Sequence, residues 1–191
     1  MTLDLDDPAG LPAFDPLCPQ SLAALERYGR ELAHTVASFL IRIIPGFANA
    51  YIAALPARVG IRESRRVVGE VRLEADHILR GATFPDAVAF SAWPIEMREK
   101  ATGPRLRYPE GNRPCEVPLR ALRARGFSNL FTAGRCLSST HEAQAALRVI
   151  GTCLATGEAA GLAAVFAASG TEPAASMICA KREAFSRHEY R

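Results

Sequence analysis

Residues 129–168, NLFTAGRCLSSTHEAQAALRVIGTCLATGEAAGLAAVFAA, decide how this chain is read. The stretch opens on a short apolar strand, breaks at Gly134 and Arg135, crosses a polar loop and enters a long helix of alanine, glycine and threonine. A glycine at the end of a strand lets backbone approach a phosphate. The helix start that follows offers free N–H groups and a positive dipole end to an anion. This is the layout of a nucleotide site, although strand, glycine and helix recur throughout α/β proteins.

Residues 149–168 have Glu158 as their sole charge and carry Gly157 and Gly161 as a GxxxG pair. The run is poor in leucine and lacks aromatic anchors, so a helix of small residues packed on a sheet or cofactor is expected in place of a membrane span.

Outward from this stretch, 191 residues with 49% apolar and 23% charged side chains describe a soluble globular chain with one core. A net charge of +3 with dispersed arginines gives no basic patch for nucleic acid. The five cysteines, Cys18, Cys115, Cys136, Cys153 and Cys179, are odd in number and widely spaced. Without a CxxC pair they support neither zinc, nor an iron–sulfur cluster held by this chain alone, nor a disulfide framework. The opening MTLDLDDPAG is acidic and has no apolar core, so no signal peptide is expected there, and a reducing cytoplasm is expected.

In chain order, four prolines make residues 1–20 loop. Ser21 then caps a helix to about Ile44, with Leu22, Leu25, Leu32, Val36, Phe39, Leu40 and Ile43 on one stripe. A short helix is expected over Phe47–Leu55, ending before Pro56. Residues 58–73 alternate as extended chain. Glu63 and Arg65 share the face that becomes apolar further along, as a structural ion pair or as part of a site, and Arg62 and Arg66 on the other face could bind an anionic substrate. Glu74–Arg80 is a helical turn or two closed by Gly81, and Phe84–Met97 is a strand containing Trp93. Residues 98–114 are a polar loop, and Val117–Leu119 leads across to a final strand at 129–133.

Ser139 with Glu142 forms an S-x-x-E capping box. His141-Glu142 begins like a zinc-protease helix, but residue 145 is alanine, so no metal site is expected. Cys136 reads as a small buried residue, and His34, His77 and His188 as incidental.

Four segments together carry a family resemblance. GIRESRRVVGE (Gly60–Glu70), FPDAVAFSAWPIE (Phe84–Glu96), VPLRAL (Val117–Leu122) and NLFTAGRCLSSTHEAQAALRVIGTCLATGEAAG (Asn129–Gly161) resemble, in order and spacing, the C-terminal half of FAD-dependent oxidoreductases. The resemblance is to the glutathione-reductase-like superfamily, and within it to flavoproteins of the heterodisulfide reductase A type. It spans about residues 25–168 and implies FAD as cofactor. It also implies a flavin turn at Ala133, Gly134 and Arg135, and a helix entry at Arg148, Val149, Ile150, Gly151 and Thr152 facing the pyrimidine edge of the flavin. His141 is then the candidate proton donor, with Arg62 and Glu63 as further candidate catalytic residues. Gly157, Ala160, Gly161 and Ala164 would be small so that helix and sheet pack closely. Relatives often carry proline at the position of Gly151, an acid at Arg135, and Asp and His near Glu96 and Arg98.

No two of the fourteen glycines are separated by a single residue, so GxGxxG is absent. The expected fold is therefore an α+β fragment of an α/β FAD-binding fold. Residues 1–115 would form part of a substrate-side domain with a mixed or antiparallel sheet and helices. Residues 116–191 would supply the closing strand and helix of a Rossmann-like FAD-binding domain whose N-terminal dinucleotide unit is absent. The expected function is hydride transfer between a small-molecule substrate and flavin, with a separate polypeptide carrying the dinucleotide-binding half. The alternative is a truncated, catalytically silent remnant or interaction subunit without bound cofactor. The chain alone is expected to bind FAD weakly or not at all. A strand at 129–133 with an unpaired apolar edge would favour self-association.

Overall fold

The computed structural model describes residues 15–97 and 103–188, with side chains through residue 183. Arg98 and most of the 1–20 loop lie outside the described residues, as does the side chain of His188. The chain forms two compact units, Met1–Ser64 and Arg65–Arg191.

The first unit holds α1 (Pro19–Ile43). The helix starts two residues before Ser21, because Pro19 is accepted at the first helical position, where its missing N–H has no partner to lose. Ser21 instead accepts the Asp15 N–H at 3.0 Å. Ile44 is extended before Pro45, which ends the helix as expected. None of the α1 side chains is fully buried. The helix expected over 47–55 does not form: after turns at 45–46 and 48–49 the chain runs without regular secondary structure to Pro56. That segment has neither a polar cap nor a packed face to support so short a helix.

In the second unit the alternation read from the sequence holds only from residue 67 on, where Gly69 and Leu73 are buried and Val68, Glu70 and Arg72 are exposed; Arg65, read onto the inward face, is exposed, and Arg66, read onto the outer face, is half-buried. This stretch forms only isolated bridges, Gly69 to Ala124 and Leu73 to Ser139. α2 (Ala75–Arg80) closes at Gly81, whose φ of +60° is the left-handed geometry that ends helices at glycine. His77 is not incidental, for its Nδ1 accepts the Glu74 N–H at 3.1 Å and so caps α2.

The expected strand 84–97 divides into β1 (Ala87–Ser91) and β2 (Ile95–Met97), since Pro94 has no N–H to continue a ladder. β1 pairs antiparallel with β4 (Cys115–Pro118), with a register irregularity between Ala87 and Ala89. β2 pairs antiparallel with β3 (Arg105–Arg107), which lies in a segment the sequence reads as loop because all three of its side chains are exposed. One helical turn, α3 (Leu119–Leu122), follows β4.

The expected closing strand at 129–133 is reduced to a bridge between Arg123 and Phe131. One of its two edges is paired: the Ala124 N–H donates to Leu130 O at 2.9 Å and the Thr132 N–H to Leu122 O at 2.8 Å. The long helix forms where its entry is read, as α5 (Ile150–Ala168), preceded by a separate short helix α4 (His141–Leu147) and followed by α6 (Ala175–His188). Leu73, Ile78, Val88, Ile95, Val117, Leu122, Leu147, Ala159, Ala163 and Ile178 form one core between the small sheets and these helices. The unit is thus α+β with small antiparallel sheets.

Arg182 of α6 binds the core together. Its guanidinium donates to Val88 O on β1 and to Ala155 O on α5, and its Nε lies 2.8 Å from Glu158.

Candidate functional site

Ala133 is extended, and the chain then turns through a single 3-10 turn, Gly134–Cys136. Gly134 has φ +63°, and a Cβ there would stand 3.2 Å from Cys153 Sγ, so both backbone and space demand glycine. The buried Gly134 N–H donates to Thr156 Oγ1 at 3.1 Å, and that hydroxyl donates to Thr152 O at 2.8 Å. One fully buried hydroxyl therefore couples the turn to the first two turns of α5. Sequence reasoning passed over Thr156; its signal is the four-residue spacing from Thr152, which puts two polar side chains on one face of an otherwise apolar helix.

α5 begins bare. Val149 is extended and no side chain caps the helix. Cys153 is the first residue to find a helical acceptor, donating to Val149 O at 2.9 Å. The preceding N–H groups of Ile150, Gly151 and Thr152 belong to the first turn, where the helix supplies no acceptor and the dipole is positive. Ile150 is exposed, and a Cβ at Gly151 would meet nothing within 4 Å. Open space over an uncapped helix start suits a planar group that accumulates negative charge, so these residues fit the flavin edge.

The structure thus brings Gly134 and its neighbours Ala133 and Arg135 against the start of α5, where Arg148, Val149, Ile150, Gly151 and Thr152 lie. Arg148 Nη2 donates to Glu96 O at 3.3 Å, tying this corner to β2, and Trp93 Nε1 donates to Glu96 Oε2 at 3.2 Å. The entry to α4 is arranged differently from the expected box. Thr140, not Ser139, caps α4 by accepting the Ala143 N–H at 3.3 Å. Ser139 is buried and donates to Leu137 O at 3.3 Å, and Glu142 pairs with Arg107 at 3.6 Å. Adjacent Ser and Thr offer two caps, and the one whose backbone is extended just before the helix takes the role.

The candidate catalytic residues are distributed. His141 is the first residue of α4 and is exposed, within the second unit. Arg62 and Glu63 belong to the first unit, Met1–Ser64. Cys136 is exposed, contrary to the expectation that it fills the core. Of the small α5 residues, Ala160 is buried, but Gly157, Gly161 and Ala164 are exposed. The packed face is Thr152, Thr156, Ala159, Ala160 and Ala163. By length and composition α5 could cross a membrane. No group of metal-ligating side chains occurs among the described residues.

No curated protein and no solved structure matches the chain. The family described as FAD dependent oxidoreductase matches it over residues 4–181. FAD is the cofactor of that family, and the match takes in both the Gly134 turn and α5. The chain therefore belongs to the FAD dependent oxidoreductase family.

Proposed function

We propose that this chain contributes the isoalloxazine side of an FAD-dependent oxidoreductase of the glutathione-reductase-like superfamily, akin to flavoproteins of the heterodisulfide reductase A type. Its reaction is hydride transfer between a small-molecule substrate and flavin. The observation that carries the reading is the direct bond from the Gly134 N–H to Thr156, which holds the glycine turn at the uncapped start of α5. Bound flavin supplies a two-electron acceptor and donor. The chain's part is electrostatic and positional. The first-turn N–H groups of α5 favour negative charge beside them by about 0.3–2 kcal/mol, and Arg135 adds a cation at the turn. His141, exposed at the start of α4, is the proton donor in this reading.

The dinucleotide half is assigned to a separate polypeptide or segment, and the Rossmann-like character of the 129–168 region rests on that pairing. Flavin fluorescence tests the reading. Riboflavin, FMN and FAD should be quenched weakly and to similar extents by the full chain, ADP should not compete, and Gly151→Glu should abolish quenching by placing a carboxylate at the helix start. Competition by ADP, or quenching that ignores Gly151→Glu, would overturn it. Quenching of no flavin at any concentration would favour the second reading, a catalytically silent interaction subunit, to which the exposed apolar residues Ile150, Leu154 and Val165 of α5 already lend support.

A further inference from the structure

Cys153 packs against Gly134, and a second cysteine, Cys136, lies in the same turn as that glycine. Cys153 Sγ lies 3.2 Å, and Cys153 Cα 4.0 Å, from the point where a Gly134 Cβ would be. Cys136 is the last residue of the same 3-10 turn, two residues past Gly134, and is exposed. Successive Cα atoms are about 3.8 Å apart and a 3-10 turn is tighter than extended chain, so Cys136 stays within a few ångströms of the same glycine. The charges sense one another as well. Burial pushes the Cys153 thiol up, the Arg135 guanidinium draws it down, and a thiolate at Cys136 pushes it up again. Because Gly134 carries no side chain, nothing of its own screens Cys153 from the turn.

We propose that Cys136 and Cys153 form a reversible disulfide that fastens the Gly134 turn to the first turn of α5, made by exchange with a small disulfide such as oxidised glutathione. Exposed Cys136 reacts first. Its thiolate attacks one sulfur of the small disulfide, the S–S bond breaks, and one small thiol departs with the electron pair and takes up a proton. Cys153 then loses its proton to solvent and attacks the Cys136 sulfur, forming the internal bond and expelling the second small thiol. Two protein thiols are oxidised and one small disulfide is reduced to two thiols, with no other oxidant required.

The closed form ties down a helix start that no side chain caps. Burial pushes Cys115 up to about 11, and the exposed Cys179, which shares a tryptic peptide with Cys153, is removed by substitution in the test. The inference does not depend on flavin binding.

The full chain carrying Cys179→Ser is equilibrated with mixtures of oxidised and reduced glutathione, quenched in acid, alkylated and digested with trypsin without reduction. Cleavage after Arg135 and Arg148 puts Cys136 and Cys153 on different peptides, 136–148 and 149–181. The expected product is those two peptides joined, recovered from monomeric protein and separated by dithiothreitol. Adding Cys153→Ser should halt the reaction with glutathione retained on Cys136, and adding Cys136→Ser should leave Cys153 free for alkylation. The proposal is overturned if wild-type Cys136 keeps glutathione while Cys153 is alkylated at every ratio. A joined peptide found only in a dimer would also overturn it, as would two unreactive thiols.

Discussion

Thr156→Val isolates the bond on which the glycine turn hangs. Thr156 is fully buried, and valine keeps its shape while removing the oxygen that accepts the Gly134 N–H at 3.1 Å. Gly134 is itself buried, so the N–H would be left with no acceptor and no water, a loss of about 1–3 kcal/mol. A methyl in place of the hydroxyl buries extra apolar surface and offsets roughly 0.8 kcal/mol of that. The net expectation is a destabilisation of about 1–2 kcal/mol, concentrated at the turn. Thr156→Ser keeps the oxygen and loses only a methyl, at a similar overall cost of about 1 kcal/mol. Urea unfolding alone would not separate the two variants, whereas amide exchange at Gly134 would. Normalised to core amides of β4, its exchange should quicken about 5- to 30-fold in the valine variant and stay unchanged in the serine variant. Normalised exchange at Gly134 that is the same in both variants would refute the coupling of turn to helix through this hydroxyl.

Three further substitutions and one pH dependence follow from the same geometry. Gly134→Ala should destabilise by about 1–3 kcal/mol through its positive φ and the 3.2 Å approach to Cys153 Sγ, with part of the loss recovered when Cys153→Ala is added. Gly151→Ala, in a helix and in open space, should stabilise by about 0.5–1 kcal/mol in thermal or urea unfolding. Arg182→Gln should cost about 1.5–3 kcal/mol, and Arg182→Lys should fail to restore it, because one ammonium does not span Val88 O, Ala155 O and Glu158 as a planar fork does. Burial alone would raise the Asp86 carboxyl, but Arg120 donates to it from its backbone N–H at 3.0 Å and from Nε and Nη2 at 3.1 and 3.0 Å, and the net pKa is lowered. A lowered folded pKa stabilises above the unfolded value near 4 and is lost as pH falls through the folded value. Asp86→Asn should therefore be less stable than wild type at pH 7, with the gap closing below about pH 4, as measured by urea midpoints across pH.

Where one physical signal dominated, the sequence was readable. The α1 stripe ran for six turns into Pro45, and Gly81 and Gly134 stood where only positive φ would serve. Competing signals of similar strength were not separable by pattern. Ser139 and Thr140 are both good caps, and only the tertiary bridge that takes Leu73 to Ser139 removes the serine from competition. β3 was invisible because Arg105, Leu106 and Arg107 are all exposed, so no alternation records its pairing with β2. The helix expected at 47–55 failed in the opposite way: its composition permits a helix, but of its side chains Ile52 and Leu55 are half-buried and the rest exposed, too little packing to supply the stability a short helix lacks.

α5 shows most directly why part of the candidate site was legible and part was not. Its buried residues Thr152, Thr156, Ala159 and Ala163 and its exposed residues Ile150, Leu154, Gly157, Gly161 and Val165 both follow three- and four-residue spacing, on different faces. Both faces are small or apolar, so hydrophobic periodicity reads the helix as buried all round and gives it no orientation. What breaks the tie is polar. A hydroxyl inside a protein must find a partner, and two threonines four residues apart on an apolar helix mark the face where backbone acceptors and donors will be waiting. Thr156 finds Gly134 there, and that places the turn and the uncapped helix start together more firmly than any glycine pattern does. The glycines at 157 and 161 drew the eye by their spacing, yet a Cβ on either would meet nothing within 4 Å, so within this chain close packing is not what they serve.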